Sequence, residues 1–248
     1  MKRKRQDSGK DYRGGKRSRV SNARVGYATV PRTRGVYAKG EMKYNDTYVN
    51  STVLAAATDW TGTEMDPATL NTLFVPQLGT GINQRIGQKV SVVKQVIRGQ
   101  VFAPILTNQT ASHQNPVVRL IHFMDEQTNS TQAQGEDLMS APSANATSAP
   151  FGFQNVNNFG RFKVLKDKMR TLPVGNISYD GTNIEQGGVA IPFKFTFKPK
   201  KPVVMQFNAT NGGTVADIVN NSFHLLAITS STGITPQISY VCRTYYKD

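Results

Sequence analysis

Beyond residue 40 the chain alternates between short runs of Val, Ile, Phe, Tyr and Thr and clusters of Gly, Pro and Asn, the pattern of strands separated by turns. The candidate strands are Met42–Leu54, Asn71–Val75, Lys89–Phe102, Pro116–Asp125, Arg161–Lys168, Val189–Phe197, Val203–Asn208, Phe223–Thr229 and Gln237–Tyr246. Ile191, Phe193, Phe195 and Phe197 fall on one side of their run, Lys194, Thr196 and Lys198 on the other. A period of two is the mark of a half-buried strand. No stretch of twelve residues shows a helical period, so helix is confined to short turns near Gly135–Met139 and Thr214–Asn220. Eight or nine strands with long polar loops predict an all-β sandwich or jelly roll. The Ser/Thr/Ala/Gln-rich stretch Ser130–Pro150 is expected to be an exposed functional loop, or disordered.

Charge separates the chain into two parts. Residues 1–39 hold thirteen Lys and Arg against two Asp, a net charge of +11, while residues 40–248 hold 17 basic and 14 acidic side chains. The arm has too few large apolar groups to offset its ordering entropy and is expected to stay flexible. With 38% hydrophobic residues overall, residues 40–248 can bury a sizeable core as one domain. A nearly neutral body on a strongly cationic arm points to a polyanionic partner. Arm residues Lys2, Arg3, Lys4, Arg5, Arg13, Lys16, Arg17, Arg19, Arg24, Arg32 and Arg34 are the candidate phosphate contacts. Their cations release condensed counterions without reading sequence, and with only Tyr12, Tyr27 and Tyr37 among them, electrostatics should outweigh base stacking. Lys2–Arg5 and Lys16–Arg19, separated by residues 6–15, match a two-part nuclear import signal and equally a generic phosphate-binding arm.

The residues offer little for catalysis. His113, His122 and His224 are scattered without metal-ligand spacing, and His122 reads as a packed or interface side chain. There is no Gly-x-Ser-x-Gly elbow and no P-loop, and the segment beginning Gly79-Thr-Gly lacks the third glycine of a dinucleotide fingerprint. Asp125-Glu126 and Glu136-Asp137 are acidic pairs of the kind that bind Ca²⁺, but such pairs are more often solvated loop charges. Cys242 is the single cysteine, which excludes an intramolecular disulfide and a thiolate zinc cluster. The charged start, Met1 to Arg5, has no apolar stretch behind it, so neither a secretory signal nor membrane insertion is expected. Eight Asn-x-Ser/Thr sequons, at Asn45, Asn50, Asn108, Asn129, Asn145, Asn176, Asn208 and Asn220, then reflect an Asn/Thr-rich sequence rather than glycosylation. No cofactor and no metal are expected.

Lys39–Thr47, Gly79–Val90 with Ile97-Arg98-Gly99, Val118–Asn129, Phe159–Lys168 and Arg243–Asp248 together resemble coat proteins of circular, replicase-encoding single-stranded DNA viruses, the geminivirus-like and circovirus-like group. Lys39-Gly-Glu-Met-Lys-Tyr-Asn-Asp-Thr47 is similar to their first shell strand. Gly79-Thr-Gly-Ile-Asn-Gln-Arg-Ile-Gly-Gln-Lys-Val90 followed by Ile97-Arg98-Gly99 resembles their most recognisable motif. Val118–Asn129 resembles their Arg–apolar run–Asp-x-Gln-Thr-Asn strand and loop, and Phe159–Lys168 and Arg243–Asp248 also fit, all in the expected order. The resemblance implies a single eight-stranded jelly roll, shared with small satellite RNA viruses of plants. It implies a homo-oligomeric icosahedral shell of 60 copies or a multiple, with the arm inside against viral single-stranded DNA. It also implies residence in the virion and, during assembly, in the host nucleus through import receptors. Gly79, Gly81, Gly87 and Gly99 would then supply tight turns or positive φ. Arg85 and Arg98 would pair with acidic groups between subunits or touch the genome.

The sequence therefore predicts a disordered basic arm over residues 1–39 and a jelly-roll shell domain over residues 40–248, a non-catalytic capsid protein. A coat protein for single-stranded RNA stays open, because charge does not sense a 2′-hydroxyl. So does a cellular nucleic-acid-binding β-sandwich protein. A jelly-roll enzyme of the cupin kind is disfavoured by the absence of a clustered His/carboxylate set.

Overall fold

The computed structural model describes residues 41–54, 72–103, 106–109, 115–133, 135–140, 150–179, 184–210, 212–230 and 236–248. Gly40–Asp248 forms one compact unit. Its strands are β1 Lys43–Val53, β2 Lys89–Phe102, β3 Leu106–Gln109, β4 Val117–Asp125, β5 Phe162–Thr171 and β6 Val174–Tyr179. They continue with β7 Ile184–Gly188, β8 Ile191–Phe197, β9 Val203–Phe207, β10 Ile218–Asn220, β11 Ser222–Thr229 and β12 Gln237–Lys247. Helix is limited among the described residues to α1 (Gly135–Leu138) and the 3₁₀ turns Val156–Asn158 and Val215–Asp217, as the missing helical period requires.

The first sheet runs β1-β12-β2, and the far side of β2 pairs with both β8 and β9. As the chain passes from Ile191 to Gln206, its partner on β2 moves steadily from Val101 back to Lys89. β8 and β9 are thus one strand, interrupted at Lys198-Pro-Lys-Lys-Pro202, where two prolines lack the N–H a ladder needs. The second sheet runs β11-β4-β5. The residue-72 segment joins it at β11, through the bridge Thr72↔His224 and Leu73 N–H donating to the Phe223 carbonyl at 2.7 Å.

Eight strand positions follow in chain order: β1, the residue-72 segment, β2, β4, β5, β8/β9, β11 and β12. The sheets then read 1-8-3-6 and 2-7-4-5, the connectivity of a jelly roll. The fold is all-β, as expected from the sequence. A small third sheet, β3-β7-β6, stands outside the eight positions. It was not expected, because Leu-Thr-Asn-Gln and Ile-Glu-Gln-Gly-Gly show no apolar alternation.

The core lies between the sheets. Val90, Val92, Ile97, Phe195, Ile238, Tyr240 and Cys242 face Val118, Leu120, Met124, Phe223, Leu225 and Ala227 in one cluster. On β12 burial alternates residue by residue, the period-two pattern of a strand with one wet face. β4 and β11 differ: apart from Val117 every residue of both is buried. Their second face is covered by Ala133, Leu138, Met139 and Phe162, packed on Ile121, Phe123, Leu226 and Ile228. Part of Ser130–Pro150, expected as exposed or disordered loop, is therefore core. A strand apolar on both faces needs a cover, and this segment supplies it; residues 134 and 141–149 lie outside the described residues.

Glycine serves close approach more than turn geometry. None of Gly79, Gly81, Gly87 and Gly99 has positive φ; Gly213 does, at +72°. At Gly99 a Cβ would lie 2.6 Å from Tyr240 Cβ and 2.8 Å from the Phe193 ring. Its absence lets those two neighbours meet across β2.

Candidate nucleic-acid interface

The arm carrying Lys2, Arg3, Lys4, Arg5, Arg13, Lys16, Arg17, Arg19, Arg24, Arg32 and Arg34 lies outside the described residues. Within the body, cations gather on the outward face of the first sheet. Alternation sends Ile97 and Val101 into the core and leaves Arg98 and Gln100 exposed; on β8 it leaves Pro192, Lys194 and Thr196 exposed. The register then lines up Tyr48, Val241, Arg98 and Lys194 across four strands. The neighbouring row is Asp46, Arg243, Val96 and Thr196. Beyond it Tyr44, Tyr245 and Lys94 form a third row.

Arg98 and Lys194 are directly opposed like charges, an arrangement that destabilises a strand pair unless an anion or water screens it. Among the described residues neither enters an ion pair. Next to them lies an open hollow of about 330 Å³, lined among others by Asn50, Arg98, Gln100, Ser239 and Val241. Arg243 is occupied: its Nε and Nη2 donate to the two Asp46 carboxylate oxygens at 2.7 and 2.6 Å, and its guanidinium lies over the Tyr44 ring. The hydrogen bonds to Asp46 raise its pKa further above the ordinary arginine value. Lys94 sits over Tyr245 at 5.5 Å. Arg98 and Lys194, exposed and without an ion-pair partner among the described residues, are the cations of this face open to a phosphate.

Other basic residues have structural work. Arg85 is fully buried, so it cannot meet genome or a neighbouring subunit as the sequence had suggested. Its Nη1 donates to the Gly87 carbonyl, its Nη2 to those of Asn208 and Thr210, and the guanidinium covers the Phe207 ring. Desolvation lowers its pKa, and the carbonyls hold the charge. It ties the glycine-rich loop to the end of β9. On the edge strand β5, Lys163, Lys166 and Arg170 are exposed. Charges of that kind on an edge oppose pairing with another strand, which accounts for them without a ligand.

The acidic and imidazole groups behave similarly. Asp125 is buried and bidentate with Arg161 at 3.0 and 2.8 Å, so the Asp125-Glu126 pair is an internal ion pair joined to a surface carboxylate. No group of three or more His, Cys, Asp or Glu able to hold a metal ion occurs among the described residues. His122, expected to be packed or at an interface, is buried at the centre of the sandwich. Gln95 donates through Nε2 to Thr244 Oγ1, leaving its Oε1 to accept from His122 Nε2 at 2.9 Å. His224 meets Ser222 Oγ at 2.5 Å and stacks on Phe123. Burial pushes His122 down to about 3 and His224 down to about 4, so both are neutral near pH 7. His113 lies outside the described residues. No helix among the described residues is long and apolar enough to cross a membrane.

No family model and no curated protein matches the chain. A solved structure described as the crystal structure of a 60-mer BFDV capsid protein aligns with 85% of this chain and 83% of its own, at 10% identity and a TM-score of 0.21. A likeness that low carries no argument, so the fold rests on the strand order and register of this chain.

Proposed function

We propose that this chain is the subunit of a small viral shell that packages single-stranded DNA with its basic arm. One observation carries the reading: a nearly neutral jelly-roll body is joined to 39 residues of net charge +11. Jelly rolls serve many purposes, so the fold alone would not suffice. The coat-protein stretches quoted from the sequence support the same reading. The arm condenses the genome by charge neutralisation, and the outward face of the first sheet adds contacts around Arg98 and Lys194. Sixty arms would bring roughly 660 positive charges, enough to neutralise part of a genome of about one to a few thousand nucleotides. The shell is a closed homo-oligomer, found in the virion and assembled in the host nucleus, which the chain reaches through import receptors that take the paired basic clusters of the arm. Nothing in this role calls for catalysis or a cofactor.

Electron microscopy of the purified full-length protein tests it, with nuclease digestion of what co-purifies. Uniform spheres holding protected nucleic acid are expected, and removing residues 1–39 should abolish packaging while the body stays folded. Arm-deleted protein that still protects full-length DNA at physiological salt would overturn the role of the arm. DNase against RNase sensitivity of the released nucleic acid separates a DNA shell from an RNA one. Persistent monomers or dimers with fully digested nucleic acid would instead favour a cellular nucleic-acid-binding protein.

A further inference from the structure

The segment that covers the second sheet presents an apolar surface of its own. Phe151, Phe153, Val156 and Phe159 are 52%, 83%, 84% and 68% exposed. Four large apolar side chains thus face outward within nine residues, 151–159. The backbone beneath them is tied down. Arg119 Nη1 donates to the Pro150 and Gly152 carbonyls at 2.8 and 2.6 Å. The Phe153 carbonyl accepts from Ser140 N–H, and Asn155 N–H donates to the Leu138 carbonyl at 2.9 Å. Gln154 Nε2 reaches the Phe162 carbonyl, and Asn158 Nδ2 that of Asp137. Scattered exposed apolar residues are ordinary, but four within nine residues on a fixed support mark an interaction surface.

The surroundings indicate what covers it. Adjoining the ledge is a hollow of about 370 Å³ lined by Phe159, Gly160, Phe162 and Val164, together with Glu126 and Lys163. Protruding rings, a hollow with aromatic walls, one acid and one base on adjoining surface make a region complementary to itself. Self-complementarity is what a two-fold contact between identical subunits requires. The four side chains expose roughly 400–500 Å², taking ~200 Å² for a fully exposed phenylalanine. A stable interface buries about 800 Å² per partner, so the ledge would supply about half, as its apolar centre.

We propose that the Phe151–Phe159 ledge is a contact between copies of this chain, in which Phe151, Phe153 and Val156 pack against the same surface of a neighbouring subunit. This rests on the self-assembling reading above. The test is sedimentation velocity on the full-length protein and on the double variant Phe153→Asp, Val156→Asp, with thermal unfolding of both. The wild type should form particles, and the variant should lose the fast-sedimenting species with an unchanged midpoint. Particles from both proteins would overturn the contact and leave the shell reading standing. A wild type that stops at dimers, beside a monomeric variant, would support the contact and defeat the shell. Wild type monomeric at every concentration would defeat both. Should the variant unfold, Val156→Cys decides: the native Cys242 is fully buried, so a maleimide reads position 156 alone. Protection in particles relative to dissociated protein supports the contact, and equal labelling in both overturns it.

Discussion

The two sheets of this jelly roll share one apolar core and end in opposite situations. The first keeps one face wet, and along β12 and β8 every second side chain meets solvent. The second is dry on both faces through β4 and β11, because the segment carrying α1 lies over it. A wet face tolerates charge, so Arg98, Lys194 and Arg243 gather on the first sheet. A dry one holds few polar groups, and His224, Ser222 and Thr128 are joined to one another there. The first sheet therefore presents an exposed cationic face, whereas the second presents only its cover and the apolar ledge beside it.

Truncation of matched aromatics should widen that contrast most. Phe123 lies on the covered side of β4, packed edge-to-face on Phe162 and stacked on His224. Phe123→Ala should cost about 3–5 kcal/mol, from lost burial and the cavity left behind. Tyr48, 65% exposed on β1, should cost under about 0.5 kcal/mol when replaced by Ser. Urea unfolding of both variants measures the difference. Similar losses would mean that the first sheet's outward face is buried in the molecule as it exists in solution.

Acid should act through imidazoles that the sandwich keeps neutral. Desolvation is the main cause at both, with the His224 and Lys166 charges adding to it at His122, and Arg161 opposed by Asp125 at His224. Both folded pKa values lie below the ordinary histidine value of 6.5. The unfolded chain therefore binds the extra protons, so stability is full above pH 6.5 and falls as pH drops toward 4 and then 3. Each imidazole contributes about 1.4 kcal/mol per pH unit in that window. His122→Gln removes one titration and should narrow the stability loss between pH 7 and pH 5 by about 2 kcal/mol. Parallel denaturation curves at the two pH values check it; an unchanged pH dependence would show that His122 is already accessible to protons.

What the sequence disclosed follows the same division. β2, β8 and β12 announce themselves by alternation, because one wet face imposes a period of two. β4 and β11 read as strands, but Val118–Met124 and Phe223–Ile228 are apolar except at Arg119, His122 and His224, and they do not say what covers their second face. The cover itself, Ala133, Leu138 and Met139, sits in a polar stretch where three apolar residues carry no period. Arg85 misleads for a related reason: an arginine between glycines reads as surface charge until the carbonyls that enclose it, more than a hundred residues away, are in place. The cationic row was hidden differently. Arg98 and Lys194 are legible singly, but only the register between β2 and β8 puts them side by side.

That row sets the smallest effect, and the one that speaks most directly to function. Each cation removed from a phosphate contact should lower the salt dependence of binding by about 0.7 in the log–log slope for a single strand. The double variant Arg98→Ala, Lys194→Ala should therefore bind a single-stranded oligonucleotide with a slope shallower by roughly 1.4, measured by anisotropy on the full-length protein. With the thirteen cations of residues 1–39 still present in the variant, the slope is the sensitive readout rather than the affinity at one salt concentration. Folding stability should stay level or rise slightly, because removing directly opposed like charges is worth about 0.2–1 kcal/mol. A salt slope identical to wild type would assign all nucleic-acid contact to the arm, and the outward face of the first sheet would then need no polyanion to explain it.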